Sequence, residues 1–420
     1  MFGDKPAAGL MTIAVEKASD SCSEVMKLKI APDELVLSDA KKLKADTYVD
    51  EFHSGGSQAD VSRMMGIKDP LTGQFTGTIP RLLNNVGLHL KTLVTSGSRD
   101  KEAIAKLSGT ALGYIWEPTT DFMGVKLRFN PSKKRKGIKS KPDITLSDLK
   151  SFDTLSLSKR QIVSLCNGIY DPLGIASPYT IKLKLLIREC LLSQDRGTLS
   201  SKNSWDAAIP SSHTLKWAEL IREGITQDSL TFNRTVRPSA VVKAPTLVGF
   251  FDGSASAMAG AVYIRWMCYK DKTKSVDTRL VNGCPDDSDF NPNIHEFVTY
   301  LLTAKAKVTP LDGLTIPRSE LTALQILTRL LVKAAKALPD TPSGVHILGD
   351  STCVISALDK VATCFNPFMH SRISDIHQNI EILGKQAKVF PLQYIPSKEN
   401  IADIATRSET QVSTLGPNSI

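Results

Sequence analysis

The chain reads Leu247-Val248-Gly249-Phe250-Phe251, stops on Asp252-Gly253-Ser254, passes through small residues and resumes as Ala261-Val262-Tyr263-Ile264-Arg265-Trp266. Two apolar, β-prone runs separated by small residues predict adjacent strands, with Asp252 at the end of the first. A carboxylate beside Phe251 costs several kcal/mol to bury unless a metal or hydrogen-bond donors compensate it. After Pro245 the alternation predicts strand, strand, strand, helix, strand, helix, helix, strand, helix. A polar insertion from Tyr269 to His295 reads as a loop.

Upstream, Leu10, Ile13, Ala14 and Lys17 recur at helical spacing. Thr47-Tyr48-Val49-Asp50-Glu51-Phe52 followed by Gly55-Gly56 predicts a hairpin presenting two acids at its tip, or simply an exposed acidic turn. Helical patterns dominate from Ala59 to Leu107. Leu112 to Trp116 and Val125 to Phe129 read as a strand pair, and Asp143 to Glu189 as helices bent at Pro172 and Pro178. Residues 195–212 are polar and Ser-rich, a linker, and an amphipathic helix follows around Trp217, Leu220 and Ile221.

At 420 residues, with 41% hydrophobic and 23% charged positions, the chain is of globular type and has room for two or three domains. No apolar run is long enough for a membrane span, and the N-terminus lacks the pattern of a secretory signal. Seven scattered cysteines with no C-x-x-C pair argue against a disulfide framework or structural zinc, and favour reduced thiols in the cytosol or nucleus. A net charge of +9 favours a polyanionic partner. The dense run Lys133-Lys134-Arg135-Lys136 is either a solvated loop or a phosphate-tracking patch.

Four acids sit where stability alone would not choose them. Glu320 follows Pro317 in the first turn of a predicted helix and shares a face with Leu324, Leu327 and Leu331. Asp350 ends the strand Val345 to Leu348 and begins a helix. Asp403 follows the strand Phe390 to Ile395. Each admits a plainer reading: Asp350 as a helix N-cap shared with Ser351, Asp403 paired with Arg407 at i+4, Glu320 facing the helix dipole. Together they suit Mg²⁺, which prefers carboxylate and water oxygens. Two such ions about 3.5–4 Å apart can stabilise the attacking and leaving oxygens of a phosphodiester.

The order Asp252, Glu320, Asp350, Asp403 on strand, helix, strand end and helix resembles the RNase H fold and its four-acid site. The flanking stretches Tyr170-Asp171-Pro172-Leu173-Gly174, Ile316-Pro317-Arg318-Ser319-Glu320-Leu321, Asp350-Ser351-Thr352 and Asn400-Ile401-Ala402-Asp403 resemble the polyprotein of BEL/Pao-type LTR retrotransposons. From about Lys159 onward the chain resembles the module known as the Pao retrotransposon peptidase family. Tyr48-Val49-Asp50-Glu51 is similar to the Tyr-x-Asp-Asp hairpin of reverse transcriptases, and Leu112-Gly113 with Trp116 to their primer grip.

The resemblance implies a multidomain α/β and α+β chain: a truncated reverse transcriptase palm over 1–150, a helical thumb or connection over 151–242, an RNase H-like mixed five-stranded sheet with helices over 243–410, and a tail. It implies Mg²⁺-dependent cleavage of the RNA strand of RNA·DNA hybrids by Asp252, Glu320, Asp350 and Asp403 as catalytic and metal-holding residues, with two Mg²⁺ or Mn²⁺ ions. Lys133, Lys134, Arg135, Lys136, Lys182 and Lys184 are the candidates for holding nucleic acid. Other retroelement polyprotein parts are implied as partners, and a virus-like particle or nucleus as location.

Three departures matter. Asp50 and Glu51 are a polymerase-motif remnant in which Glu51 replaces an Asp, the upstream polymerase acid is not in this sequence, and no histidine lies between Ile395 and Asp403. No polymerase activity is therefore expected of this chain. Peptidase chemistry is disfavoured because Phe251-Asp252-Gly253-Ser254 has its small residues in the wrong order for an aspartic protease, and no second copy exists. The competing reading is a non-cleaving relic that binds nucleic acid or a protein.

Overall fold

In the computed structural model the described residues are 7–48, 51–90, 92–97, 110–111, 114–130, 134–135, 138–139, 142–149, 157–192, 205–274, 287–360 and 366–407. They form two compact units: Met1–Leu112 with Trp116–Thr120, and Gly113–Ile115 with Asp121–Ile420.

The first unit is largely helical: α1 (Ala7–Asp20), α2 (Cys22–Lys27), α3 (Asp33–Asp46), α4 (Gln58–Met65) and α5 (Thr78–Asn84). Between α3 and α4, β1 (Thr47–Tyr48) and β2 (Glu51–Phe52) pair antiparallel with Thr47 opposite Phe52, the hairpin that the sequence predicts. Asp50 and the side chain of Glu51 lie outside the described residues. The core gathers Val15, Val25, Val36, Leu43, Met64, Ile79 and Leu82. Inside it Asp39 is fully buried, held by Arg63 at 2.9 and 3.1 Å and by the Thr78 hydroxyl at 2.6 Å. The helical pattern expected through Leu107 yields only α4 and α5 among the described residues. Gly66, Gly73 and Gly87, all at positive φ, break it.

Next come β3 (Thr110–Ala111), β4 (Tyr114–Glu117), β5 (Phe122–Lys126), β6 (Lys134–Arg135) and β7 (Ile138–Lys139). The basic run thus folds back as a β6–β7 hairpin. Lys133 and Lys136, and the side chains of Lys134 and Arg135, lie outside the described residues. In the second unit β5 pairs with β8 (Ser229–Asn233), and α6 (Lys159–Asn167), α7 (Ser177–Leu192) and α8 (Ser211–Gln227) pack a core of Phe129, Ile162, Leu165, Tyr179, Trp217 and Ile221. Ser158 and Gln161 form a capping box that starts α6.

Then the long strands begin: β9 (Thr246–Gly253), β10 (Ala257–Tyr269) and β11 (His295–Val308), followed by α9 (Ile316–Ala337), β12 (Gly344–Gly349), α10 (Thr352–Leu358), α11 (Pro367–Gly384), β13 (Lys388–Val389) and β14 (Gln393–Tyr394). The sheet order is β11-β10-β9-β12-β13, with β14 also on β12. β9, β10 and β11 are antiparallel, while β12 is parallel to β9. Of the strand expected over Phe390–Ile395 only β14 forms; β13 precedes that span, and Pro391, which has no N–H to give the ladder, lies between the two. Between Gly344↔Lys388 and Leu348↔Gln393, β12 advances four residues and its partner five, the extra residue of a bulge.

One sheet face is covered by α9, whose Leu321, Leu324, Leu327 and Leu331 join Phe251, Val262, Val345 and Ile347 in one core. Against the other face Ile181 of α7 meets Ala257, Ala259, Ala306 and Ala405.

Candidate active site

The parallel pair β9–β12 aligns Phe251 with Gly349, so the next residues along, Asp252 and Asp350, emerge side by side from adjacent strands. Glu320 arrives from α9. Its approach depends on Gly253: a Cβ there would lie 2.3 Å from the Glu320 amide nitrogen and 2.5 Å from the Ser319 carbonyl carbon, so any larger residue would push the helix away. Asp403 comes from a 3₁₀ turn, Ile401–Ala405, whose Ala402 and Ala405 are buried. The structure thus brings all four predicted acids to one end of the sheet.

Their charges act on one another. Burial pushes the Asp252 carboxyl above the usual carboxylate range; a hydrogen bond from Thr406 pulls it back, and the neighbouring charges of Asp350 and Asp403 push it further up. Burial likewise raises Glu320, opposed by a hydrogen bond from Ser351 and reinforced by Asp350 and Asp252. The Ser351 hydroxyl donates to Glu320 Oε2 at 2.6 Å and the Thr406 hydroxyl to Asp252 Oδ2. The buried Asn400 side chain donates to Asp350 Oδ1 at 3.1 Å and to the Phe251 carbonyl at 2.9 Å, while its Oδ1 caps the 3₁₀ turn through Ala402 N–H. Arg407 Nε lies 2.5 Å from Asp403 Oδ1, so the i+4 pairing open in the sequence is made here too.

Two of the plainer roles go to other residues. Ser351, not Asp350, is the N-cap of α10, accepting from Val354 N–H at 3.3 Å. Thr315 stands at the N-cap position of α9, and Glu320 turns to Ser351 rather than to its own helix end. Ser351, Asn400 and Thr406 are the residues that sequence reasoning missed. Ser351 and Asn400 stood beside the acids in the text; nothing local marked Thr406.

The donor set fits a hard divalent cation, being four carboxylates in mutual repulsion with no sulfur or imidazole among them. Among the described residues, however, no three His, Cys, Asp or Glu side chains are placed so that together they could hold a metal ion as they stand. Each carboxylate instead holds a local donor: Thr406, Ser351, Asn400 or Arg407.

Of the candidate nucleic-acid contacts, Lys182 is placed differently from expectation. It is buried, and its Nζ lies 3.0 and 3.2 Å from the two Glu223 carboxylate oxygens, so it joins α7 to α8 instead of facing solvent. Lys184 is half-buried on the same helix.

Among curated proteins none matches this chain. Several solved structures are similar to it in part. The N-terminal RNase H domain of rv2228c from Mycobacterium tuberculosis, solved as a fusion with maltose-binding protein, is 14% identical, with 39% of this chain and 91% of that chain covered and a TM-score of 0.24. RNase H1 from the halophilic archaeon Halobacterium salinarum is 13% identical over 38% of this chain and 94% of its own, with a TM-score of 0.22. LC11-RNase H1, isolated from compost and solved with an RNA/DNA hybrid, is 13% identical over 41% and 99%, with a TM-score of 0.24. Residues 158–283 and 289–351 match the family described as the Pao retrotransposon-like RNaseH-like domain. The matched stretch begins at the α6 capping box and ends at Ser351, taking in Asp252, Glu320 and Asp350, and over it the chain is similar to that family.

Proposed function

We propose that the chain is a Mg²⁺-dependent endonuclease acting on the RNA strand of RNA·DNA hybrids. The observation that carries this is the meeting of Asp252, Glu320, Asp350 and Asp403 at the end of β9 and β12, where the charges of Asp350 and Asp403 raise the proton affinity of Asp252 and those of Asp350 and Asp252 raise that of Glu320. Like charges gathered at the expense of stability ask for a cationic ligand. Asp252, Glu320, Asp350 and Asp403 would hold the metal. Bound there, divalent magnesium would supply charge stabilisation to the attacking and leaving oxygens of a phosphodiester.

The protein's own residues do the positioning. Asn400 ties Asp350 to the backbone of β9, fixing two acids from two strands relative to each other. Thr406 and Ser351 donate to Asp252 and Glu320 and offset part of the upward push of burial on their carboxyls. Recognition of the RNA strand would rest on its 2′-hydroxyls and on duplex shape.

A specific observation favours a second reading, a nucleic-acid-binding relic without cleavage: every acid already has a local donor, and no closed ligand set exists among the described residues. A hybrid-cleavage assay separates the two. Wild type is expected to cut the RNA strand with Mg²⁺ and not with EDTA, and Asp350→Asn to lose at least about a thousandfold in rate. Wild type that fails to cut with Mg²⁺ leaves the relic. The domain assignment is proposed with it: an RNase H-like region over 243–410, preceded by a helical thumb or connection over 151–242 and, over 1–150, a truncated palm and primer-grip remnant without polymerase activity of its own. Addition of nucleotides to an annealed primer by this chain would overturn the last of these.

A further inference from the structure

The edge strand β11 carries Lys305 and Lys307, two residues apart and both exposed. Gly260, directly opposite Lys305 on β10, lies against Leu327 of α9, so Lys305 and Lys307 share the sheet face that α9 covers. From α9 itself Arg329 and Lys333, one turn apart and exposed, come up beside them: Lys307, Lys333 and Arg329 all act on the Lys305 amine. Arg329 is paired with Asp375 at 2.9 Å. Among the described residues Lys305, Lys307 and Lys333 have no carboxylate within ion-pair distance, whereas Lys27, Lys29 and Lys385 are paired with Glu24, Asp33 and Glu381.

Lysines on an edge strand also keep sheets from joining edge to edge. That role needs no third cation from a helix. Three unpaired ammonium groups crowded together lower stability unless an anion with several charges lies across them.

The register gives the patch its place. Lys307 stands opposite Met258, and Met258 opposite Gly253, so Lys307 lies two strand spacings, about 10 Å, across the sheet from the residue next to Asp252. Lys333 is thirteen positions after Glu320 on α9, about 20 Å along the helix axis. Double-stranded DNA advances about 3.4 Å per nucleotide along each strand, so on that scale the lysines cover a run from about three to about six nucleotides away from the acids.

We propose that Lys305, Lys307 and Lys333 form a phosphate-binding track that holds the backbone of the hybrid as it leaves the carboxylate site. This rests on the nuclease reading above, and its test is independent of cutting. The full chain is titrated with a fluorescent RNA·DNA hybrid in EDTA at several salt concentrations. The variant Lys305→Gln/Lys307→Gln/Lys333→Gln is compared with a control of equal charge, Lys27→Gln/Lys29→Gln/Lys385→Gln. The track predicts that the slope of log affinity against log salt becomes shallower by about 2 to 3 in the first variant and by less than about 1 in the control, with affinity at moderate salt at least tenfold weaker. Replacing the same three lysines by arginine should restore both.

Equal slopes in the two variants would overturn the track even if the wild type cuts hybrids, and so would self-association of the first variant at unchanged slope, which would leave only edge protection. A chain that does not cut but whose slope falls as stated keeps the track and loses the nuclease.

Discussion

Asn400 is the residue on which the site's geometry turns. One side-chain amide satisfies the Phe251 carbonyl, reaches Asp350 and, through its oxygen, starts the turn that carries Asp403. Asn400→Ala leaves a buried carbonyl without its donor and uncaps the turn, at about 1–3 kcal/mol each for such losses. The expected outcome is a lowered melting temperature together with a cleavage rate reduced more than tenfold. Thr406→Val acts on chemistry more than on stability. Without the hydroxyl, the Asp252 carboxyl moves further above the ordinary carboxylate range, because burial and the charges of Asp350 and Asp403 are then opposed only by the Gly253 backbone hydrogen bond. Half-maximal cleavage should then require more Mg²⁺ and a higher pH, measured by metal titration at several pH values.

At the scale of elements, the start of α9 sits on β9 because Gly253 has no side chain. Gly253→Ala should displace Glu320 and remove cleavage while costing about 1–3 kcal/mol, the usual range for overpacking. The same substitution at the open turn Gly313→Ala brings positive-φ strain but no clash, and should leave cleavage intact. Strand β12 offers a pH test. His346 stacks on Phe390 with ring centroids 4.2 Å apart, and burial holds its imidazole below the ordinary histidine value. Among the described residues its buried Nε2 has no hydrogen-bond partner. A histidine depressed in the fold takes up protons more readily when unfolded, so stability present above about pH 6.5 is lost as the pH falls through that value toward the folded one. His346→Phe keeps the stack and removes the orphaned nitrogen, and its thermal midpoint should fall less than that of wild type on acidification. Lys182, tied to Glu223 between α7 and α8, belongs to stability as well. Lys182→Met leaves Glu223 half-buried without this cation, the kind of break that costs about 3–5 kcal/mol at full burial, while hybrid affinity should change little.

For the whole molecule, the family match begins at residue 158, well before the first strand of the sheet. The packing explains why. Ile181 of α7 covers the alanine face of β10 and β11, and Arg188 of the same helix donates to the carbonyls of Thr309 and Pro310 at 3.1 and 3.2 Å. The loop before α7 closes on β11 as well, with Leu173 accepting from Ala304 N–H. A fragment of residues 243–407 would expose that face, and an apolar sheet face open to water invites association. It is expected to be less stable than a fragment beginning at 158 and to self-associate, as sedimentation and thermal melting of the two would show.

Much of this was legible in the sequence because it is written locally. Alternation marked β9, β10 and β12, the leucine stripe and Pro317 marked α9, and an acid beside Phe251 marked the site, since a strand period, a helix period and a misplaced charge each declare themselves within a few residues. Local text also misled: Phe390–Ile395 reads as one strand until Pro391 is required to give an N–H it lacks, and Lys182 reads as a surface cation until α8 brings Glu223 to it. What only tertiary structure decided is which distant groups meet. The donors Ser351, Asn400 and Thr406, the register that sets Asp252 beside Asp350, and the three lysines gathered from β11 and α9 all depend on contacts between residues far apart in the chain, which hydrophobic periodicity does not encode.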